Sequence, residues 1–312
     1  MRRAQPAGSP RGPAGTRFSL LSMTILILAE PHDATAHRVA ALARQTYSTH
    51  VVRVVSSLEI ARAPRWSHEV GAAGVATHVR LMDGTTLRSG DIAGVFNRLW
   101  PVPASAFTSF DPTDREYAQA EMHALLVSWL ASLTCPVINR ASPHSLCGSP
   151  WSHVKWRVAA GRAGLETLAV RLTTSQRRYP TRNMLRVADL GSAVIATPDA
   201  SPFSSTGPGI FVDPVGERTA SIVVVGNSVW SESLSAHECD LLRDGCCRLA
   251  TDAGTEFLRV RFISTPDEQR WMFCGAEAVP DVWEIDPLSA LVEIIGGAES
   301  PHLVQDEVGA ER

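Results

Sequence analysis

No charge of one sign dominates this chain: 29 Lys and Arg stand against 32 Asp and Glu, for a net charge of −3. A field that weak draws neither nucleic acid nor an anionic membrane, and neither is expected as a partner. No apolar run reaches the roughly 20 residues of a membrane span. Cys-x-x-Cys pairs are absent. The cysteines (Cys135, Cys147, Cys239, Cys246, Cys247, Cys274) are scattered, which points to reduced thiols in a cytoplasm rather than a disulfide frame or a zinc site. Cys246-Cys247 reads as a pair of core thiols. The apolar stretch Phe18 to Ala29 is followed by no small-x-small cleavage site. It is therefore read as a buried first strand at Thr24 to Ala29 rather than a signal peptide, with Met23 as a second candidate start.

What is present is ordinary globular composition, 45% apolar and 20% charged over 312 residues, enough for two or three subdomains with real cores. Residues 1–22 are rich in Arg, Pro, Gly and Ala at their start and are expected to be a disordered extension, as is the acidic tail 299–312. Between them, residues 23–140 read as one α/β domain with a mostly parallel sheet. Its signals are a strand at Thr24 to Ala29, a helix at Ala34 to Gln45, and strands at Val51 to Val55 and Gly94 to Arg98. A hairpin around Asp83-Gly84 and a strand at Cys135 to Asn139 complete it. Thr113 and Glu116 form a capping box for a long helix with Met122, Leu125, Leu126, Trp129, Leu130 and Leu133 on one face.

The segment opened by Ser149-Pro150-Trp151-Ser152-His153-Val154-Lys155 reads as a helix. Ser149 is its N-cap, Pro150 its first residue, and Trp151, Val154 and Val158 recur at helical spacing. Gly164 ends it and Leu168 to Leu172 follows as a strand. Residues 141–298 alternate helices with antiparallel strands, an α+β arrangement. Ser201 to Gly209 is a loop, and Ala220 to Val225, Gly226-Asn227 and Ser228 to Trp230 form a hairpin. A helix runs from the Ser235/Glu238 capping box to Ala253. Phe257 to Ile263 and Trp271 to Cys274 are strands, and Pro287 to Ile295 is a last helix.

In order and spacing these segments resemble the ATP-grasp ligases, above all those that mature ribosomal peptides by forming amide or ester bonds. Val95-Phe-Asn-Arg98 with Pro101 and Pro103 is similar to that group's arginine-and-proline stretch. Glu121, the long helix and Val137-Ile-Asn-Arg140 are similar to its helix and following strand. Lys155, Gly164-Leu165 and Leu168 to Thr174 match its lysine helix and strand. Val215-Gly-Glu-Arg218 and Ile222 to Asn227 match its later hairpin. The resemblance implies an α/β N-terminal (pre-ATP-grasp) domain followed by α+β ATP-grasp lobes. It implies ATP held by Lys155 and Arg218, and a peptide or small-molecule substrate, with Asn139 of the matching strand among its contacts. His32 and Asp33, in the loop after the first parallel strand, either line the substrate cleft or cap the next helix, and Arg98 either pairs with a substrate carboxylate or forms a structural salt bridge.

The departures bear on metal. An active member holds two magnesium ions with carboxylates and an amide. The resemblance puts Arg261, Cys274 and Ala276 at those positions, so magnesium is not expected and no metal ligand is assigned. A second register keeps Glu284 and Asp286 as ligands. No lysine lies between residues 180 and 200, where the family has its second one. A degenerate protein that binds a peptide, a nucleotide or a catalytic ATP-grasp partner is one reading. A working ATP-dependent ligase forming C–N or ester bonds is the other. An unrelated α/β binding protein is the bland alternative. Arg261 either supplies charge near phosphate or faces water.

Overall fold

A computed structural model describes residues 23–72, 74–173, 185–187, 196–197, 209–212, 216–267 and 269–297. The expectations for the two chain ends and for most of the loop before Gly209 fall outside them. Thr24–Leu28 (β1) is apolar on both sides, and Ile25 to Leu28 are fully buried, as befits a strand covered on both faces. Asp33 caps Ala34–Thr46 (α1) by accepting from the Ala36 amide. Val51–Val55 (β2) then returns parallel to β1. After the short helix Ser57–Ala61 (α2) comes a separate antiparallel sheet of Arg65–Gly71 (β3), Gly74–Arg80 (β4) and Thr86–Arg88 (β5). Ile92–Asn97 (β6) pairs with β1 on its other side, and Val137–Ile138 (β7) pairs with β6. The order is β2-β1-β6-β7, parallel throughout.

Pro112–Ser132 (α3) joins β6 to β7, burying Leu126, Trp129 and Leu130. Its cap is Asp111, whose carboxylate accepts from the Thr113 amide, with Pro112 in the first turn. The expected Thr113/Glu116 box is thus displaced by an aspartate that stands just before the proline. A similar correction applies to His153–Arg162 (α4). Ser152 caps it, while the Ser149 hydroxyl donates to the Ala253 carbonyl. Trp156, Ala159, Ala160 and Ala163 form the buried stripe, and Val154 and Val158 stand half exposed on the opposite side. The small alanines, not the valines, carry the buried periodicity of this helix. Gly164 follows at φ +85°, a backbone angle suited to glycine at a helix end.

Val170–Thr173 (β8), Leu185–Val187 (β9), Ala196–Thr197 (β10) and Gly209–Val212 (β11) make an antiparallel sheet in the order β10-β9-β11-β8. Thr219–Val225 (β12), Ser228–Trp230 (β13), Phe257–Ser264 (β14) and Trp271–Glu277 (β15) make another, ordered β13-β12-β14-β15. Ala236–Ala253 (α5) carries the expected Ser235/Glu238 capping box and ends at Gly254 in the left-handed region. Strand alternation divides the β12–β15 sheet into two faces. Ala220, Ile222, Val224, Leu258, Val260 and Phe262 share a core with α4 and α5. Val223, Val225 and Phe257 share another with Ile25, Ile27 and Phe96 and with the last helix, Ile285–Ile295 (α6). α6 therefore holds the parallel sheet and the C-terminal sheet together.

Candidate functional site

The face of the C-terminal sheet that bears no helix over its outer end is where charge collects. On β14 the apolar Leu258, Val260 and Phe262 point into the helix-covered core. Arg259 and Arg261 alternate with them and so point the other way. Directly opposite residues share a face. Arg261 stands opposite Ser221 on β12 and Gly275 on β15, and Arg259 stands opposite Val223 and Glu277.

That pairing corrects the spacing inferred from sequence. A β-bulge between Arg261 and Phe262 makes Cys274 the extra residue of β15, since Phe273 faces Phe262 and Gly275 faces Arg261. One added residue moves every later side chain to the other face. Ala276 accordingly lies opposite Val260 and packs on the helix side. Gly275 and Glu277, not Ala276, share the face of Arg261, and the bulged Cys274 lines the same cavity as Arg261. The Glu277 carboxylate sits 2.7 Å from the Arg261 guanidinium.

A cavity of about 330 Å³ opens beside this pair, lined by Thr219, Ser221, Ser233, Arg259, Arg261 and Cys274 among others. One Arg259 Nη group donates to the Asp281 carbonyl, and its buried Nε has no partner among the described residues. Arg157 of α4 lies near enough to Cys274 to interact with it electrostatically. It donates to the Leu168 carbonyl, while its buried Nε and second terminal nitrogen have no partner among the described residues. Burial pushes this guanidinium below its ordinary pKa, and Cys274 acts the other way.

From Asp281 the polar array continues to the parallel sheet. Arg98 follows β6 and Asp33 follows β1, both where loops leave the C-terminal ends of parallel strands. The Asp33 carboxylate accepts from Arg98 Nε at 2.6 Å while its other oxygen caps α1. Arg98 also donates to the Pro280 carbonyl at 2.7 Å and to Asp281 at 3.2 Å. Its side chain is 3% exposed and that of Asp33 8%, whereas Asp281 is 68% exposed. His32 stands exposed beside them. The structure thus brings Asp33 and Arg98 together, with His32 adjacent, and joins them through Asp281 to Arg259.

The other residues singled out from sequence lie elsewhere. Asn139 is fully buried at φ +56°, and its side chain binds the Phe257 amide and carbonyl, the Ala278 carbonyl and Thr255. Those partners use its amide group to join β7 to the C-terminal sheet, leaving it none for a ligand. Lys155 stands on the exposed side of α4 with Nζ 4.2 Å from the Trp151 ring. Arg218 turns to the helix side, over the Trp271 ring at 4.8 Å and 3.6 Å from Glu238 of α5. Glu284 and Asp286 begin α6 beside Trp283, whose ring lies under Arg38 of α1. Arg157, Arg259, Glu277 and Asp281 went unnoticed in the sequence. The alternation of Leu258 to Phe262 was the signal for Arg259. Nothing local announces the bulge that brings Glu277 round.

Chemically this face is suited to an anion. Magnesium takes hard oxygen donors at short range. The described side chains on the face offer a single carboxylate, Glu277, and Arg261 already holds it. Among the described residues no group of three or more His, Cys, Asp and Glu is placed to hold a metal ion. Nor is any described helix long and apolar enough to cross a membrane.

No family model and no curated protein sequence matches the chain. Solved structures do. The macrocyclase MdnC of Microcystis aeruginosa MRC, solved with precursor peptide MdnA, is 14% identical at a TM-score of 0.64, over 89% of this chain and 100% of that one. A RiPP-associated ATP-grasp ligase of Chryseobacterium gregarium, solved with ADP and a leader and core peptide, is 12% identical at 0.65, over 89% and 97%. The ATP-grasp ligase PsnB, solved with a minimal precursor, Mg and ADP, is 15% identical at 0.62, over 87% and 97%. At such identities the likeness is one of fold. The chain has the ATP-grasp fold: an α/β domain built on a parallel sheet, followed by ATP-grasp lobes.

Proposed function

We propose that this protein works in a peptide-modifying pathway as a degenerate ATP-grasp member, one that binds a peptide and a nucleotide but does not transfer phosphate at a ligase's rate. The observation that carries this reading is the Arg261–Glu277 pair on the open face of β14 and β15. Activating a carboxylate with ATP gathers several negative oxygens, and metal ions ordinarily neutralise them. A guanidinium on that face repels a divalent cation and holds the Glu277 carboxylate beside it. The peptide part rests on the fold. The similar structures were solved with precursor peptides, and His32, Asp33 and Arg98 line the loops where a substrate would meet the parallel sheet. A catalytic ATP-grasp partner would then supply the bond-forming step.

Phosphate release tests the reading. The purified chain is mixed with ATP, magnesium and precursor peptides of the kind found in the similar structures, MdnA among them. The expected result is peptide binding by calorimetry with no phosphate release above that of a protein-free control. Multiple turnovers, abolished by Glu284→Ala or Asp286→Ala, would instead establish a working ligase with its metal ligands at the start of α6.

A further inference from the structure

The open face raises a question of its own: what balances its positive charge? Arg98 is matched by Asp33 and Asp281, and Arg261 by Glu277. Among the described residues Arg259 is matched by a backbone carbonyl alone, and its buried Nε faces no acceptor. A buried guanidinium N–H without an acceptor is costly. The cavity that Arg259 and Arg261 line also offers the hydroxyls of Thr219, Ser221 and Ser233. Its volume of about 330 Å³ is in the range of small-ligand sites.

We infer that Arg259 and Arg261 form a site that binds the phosphates of a ligand without any divalent cation. Guanidinium groups suit this role: they stay charged, and their planar fork matches a phosphate's oxygens. Glu277 is the built-in competitor. It occupies Arg261 when the site is empty and must give up that contact, or share it, when a phosphate arrives. Magnesium, instead of bridging protein and phosphate, would compete with the arginines for the same oxygens. The inference rests on the reading above in taking this face as the nucleotide side of the fold, and it adds what replaces the metal.

Calorimetry with ATP, ADP and tripolyphosphate, each in EDTA and in excess magnesium, tests it on the whole chain. Binding in EDTA is expected to be as tight as, or tighter than, binding in magnesium, and to weaken as salt rises. Arg259→Gln and Arg261→Gln should each weaken it by roughly 10-fold or more, the scale of a charge-assisted hydrogen bond. Glu277→Gln should tighten it, because Arg261 is then released. This opposite sign separates site chemistry from loss of folding, which would weaken all variants alike. Arg261→Asp should convert the site to magnesium-dependent binding. Equal binding of tripolyphosphate and ATP supports a site for phosphate alone, and tighter ATP supports the same site with added nucleoside contacts. Failure of all three ligands to bind in EDTA, or binding indifferent to Arg259→Gln and Arg261→Gln, overturns the inference. That failure would leave the phosphate-release result standing, so the two readings fail separately.

Discussion

At the scale of single residues, the buried ion pair between Arg98 and Asp33 does the most to fix the substrate-side geometry. Two sheets meet at it, since Arg98 leaves β6 and also binds the Pro280 carbonyl beyond β15. Removing one member of a buried pair strands a charge, at a cost of about 3–5 kcal/mol, whereas replacing both can cost little. Arg98→Ala is therefore expected to lower stability by about that amount in urea titration, and Arg98→Met with Asp33→Asn by much less. A loss below about 1 kcal/mol for the single variant would mean that the pair is effectively solvated. Arg98 was legible in the sequence as a charged residue on an otherwise buried strand, and Asp33 as a loop acid after β1. Their contact was not legible, because 65 residues separate them and no local pattern records it. Asn139 shows the reverse. Its place beside Arg140 in a matching motif invited a ligand role, yet the left-handed backbone and four hydrogen bonds between its side chain and Thr255, Phe257 and Ala278 make it a joint of the fold.

At the scale of elements, the sequence spoke clearly wherever a cap or a period was strong. α5 is the best case, with Ser235 and Glu238 at one end and Gly254 at the other. Glu238 accepts from the Ser235 hydroxyl and amide and from the Trp271 indole, which holds its carboxyl down at about 2, with Arg218 adding to the effect. A folded-state pKa below the unfolded one stabilises at neutral pH, and the gain is lost as pH falls. The window here runs from about 4.5 down to about 2. Glu238→Gln should thus lower the melting temperature at pH 7, and the gap from the parent should close between those values. A gap that stayed constant down to pH 2 would show that the carboxylate's charge is not what the cap uses. β15 is the case that sequence could not resolve. Its strand was visible, but a bulge is set by pairing with β14, and it turned Ala276 to the helix side and Gly275 and Glu277 to the side of Arg261. In α4 the apolar count was right and the face was wrong, because three alanines and a tryptophan outweigh two valines once neighbours are present.

For the whole molecule, the decisive contact is one that no window of sequence contains: α6, from the far end of the described chain, lies against the parallel sheet near its beginning. Leu288, Leu291, Val292 and Ile295 are buried in a core shared with Ile25, Ile27, Val223 and Phe257, so β1, β6 and β12 are stabilised by the same helix. Gly94 on β6 makes the approach possible. A Cβ built there would run into the carbonyl, carbon and Cα of Ile295, all backbone atoms, well inside van der Waals contact. No rotamer change can relieve a backbone clash, so the helix itself must move. Gly94→Val should therefore lower stability by at least the roughly 1–3 kcal/mol of an overpacked core, and the effect should spread beyond the strand. Hydrogen exchange monitored by mass spectrometry is expected to show faster exchange in α6, β1 and β12 together, because losing α6 uncovers both sheets. The arginine-lined face should loosen as well, since Arg259 is held to the loop that leads into α6. Protection lost only around residue 94, with α6 and β12 unchanged, would mean that the two sheets hold together without this helix, and that the C-terminal sheet keeps its place by the Asn139 joint alone.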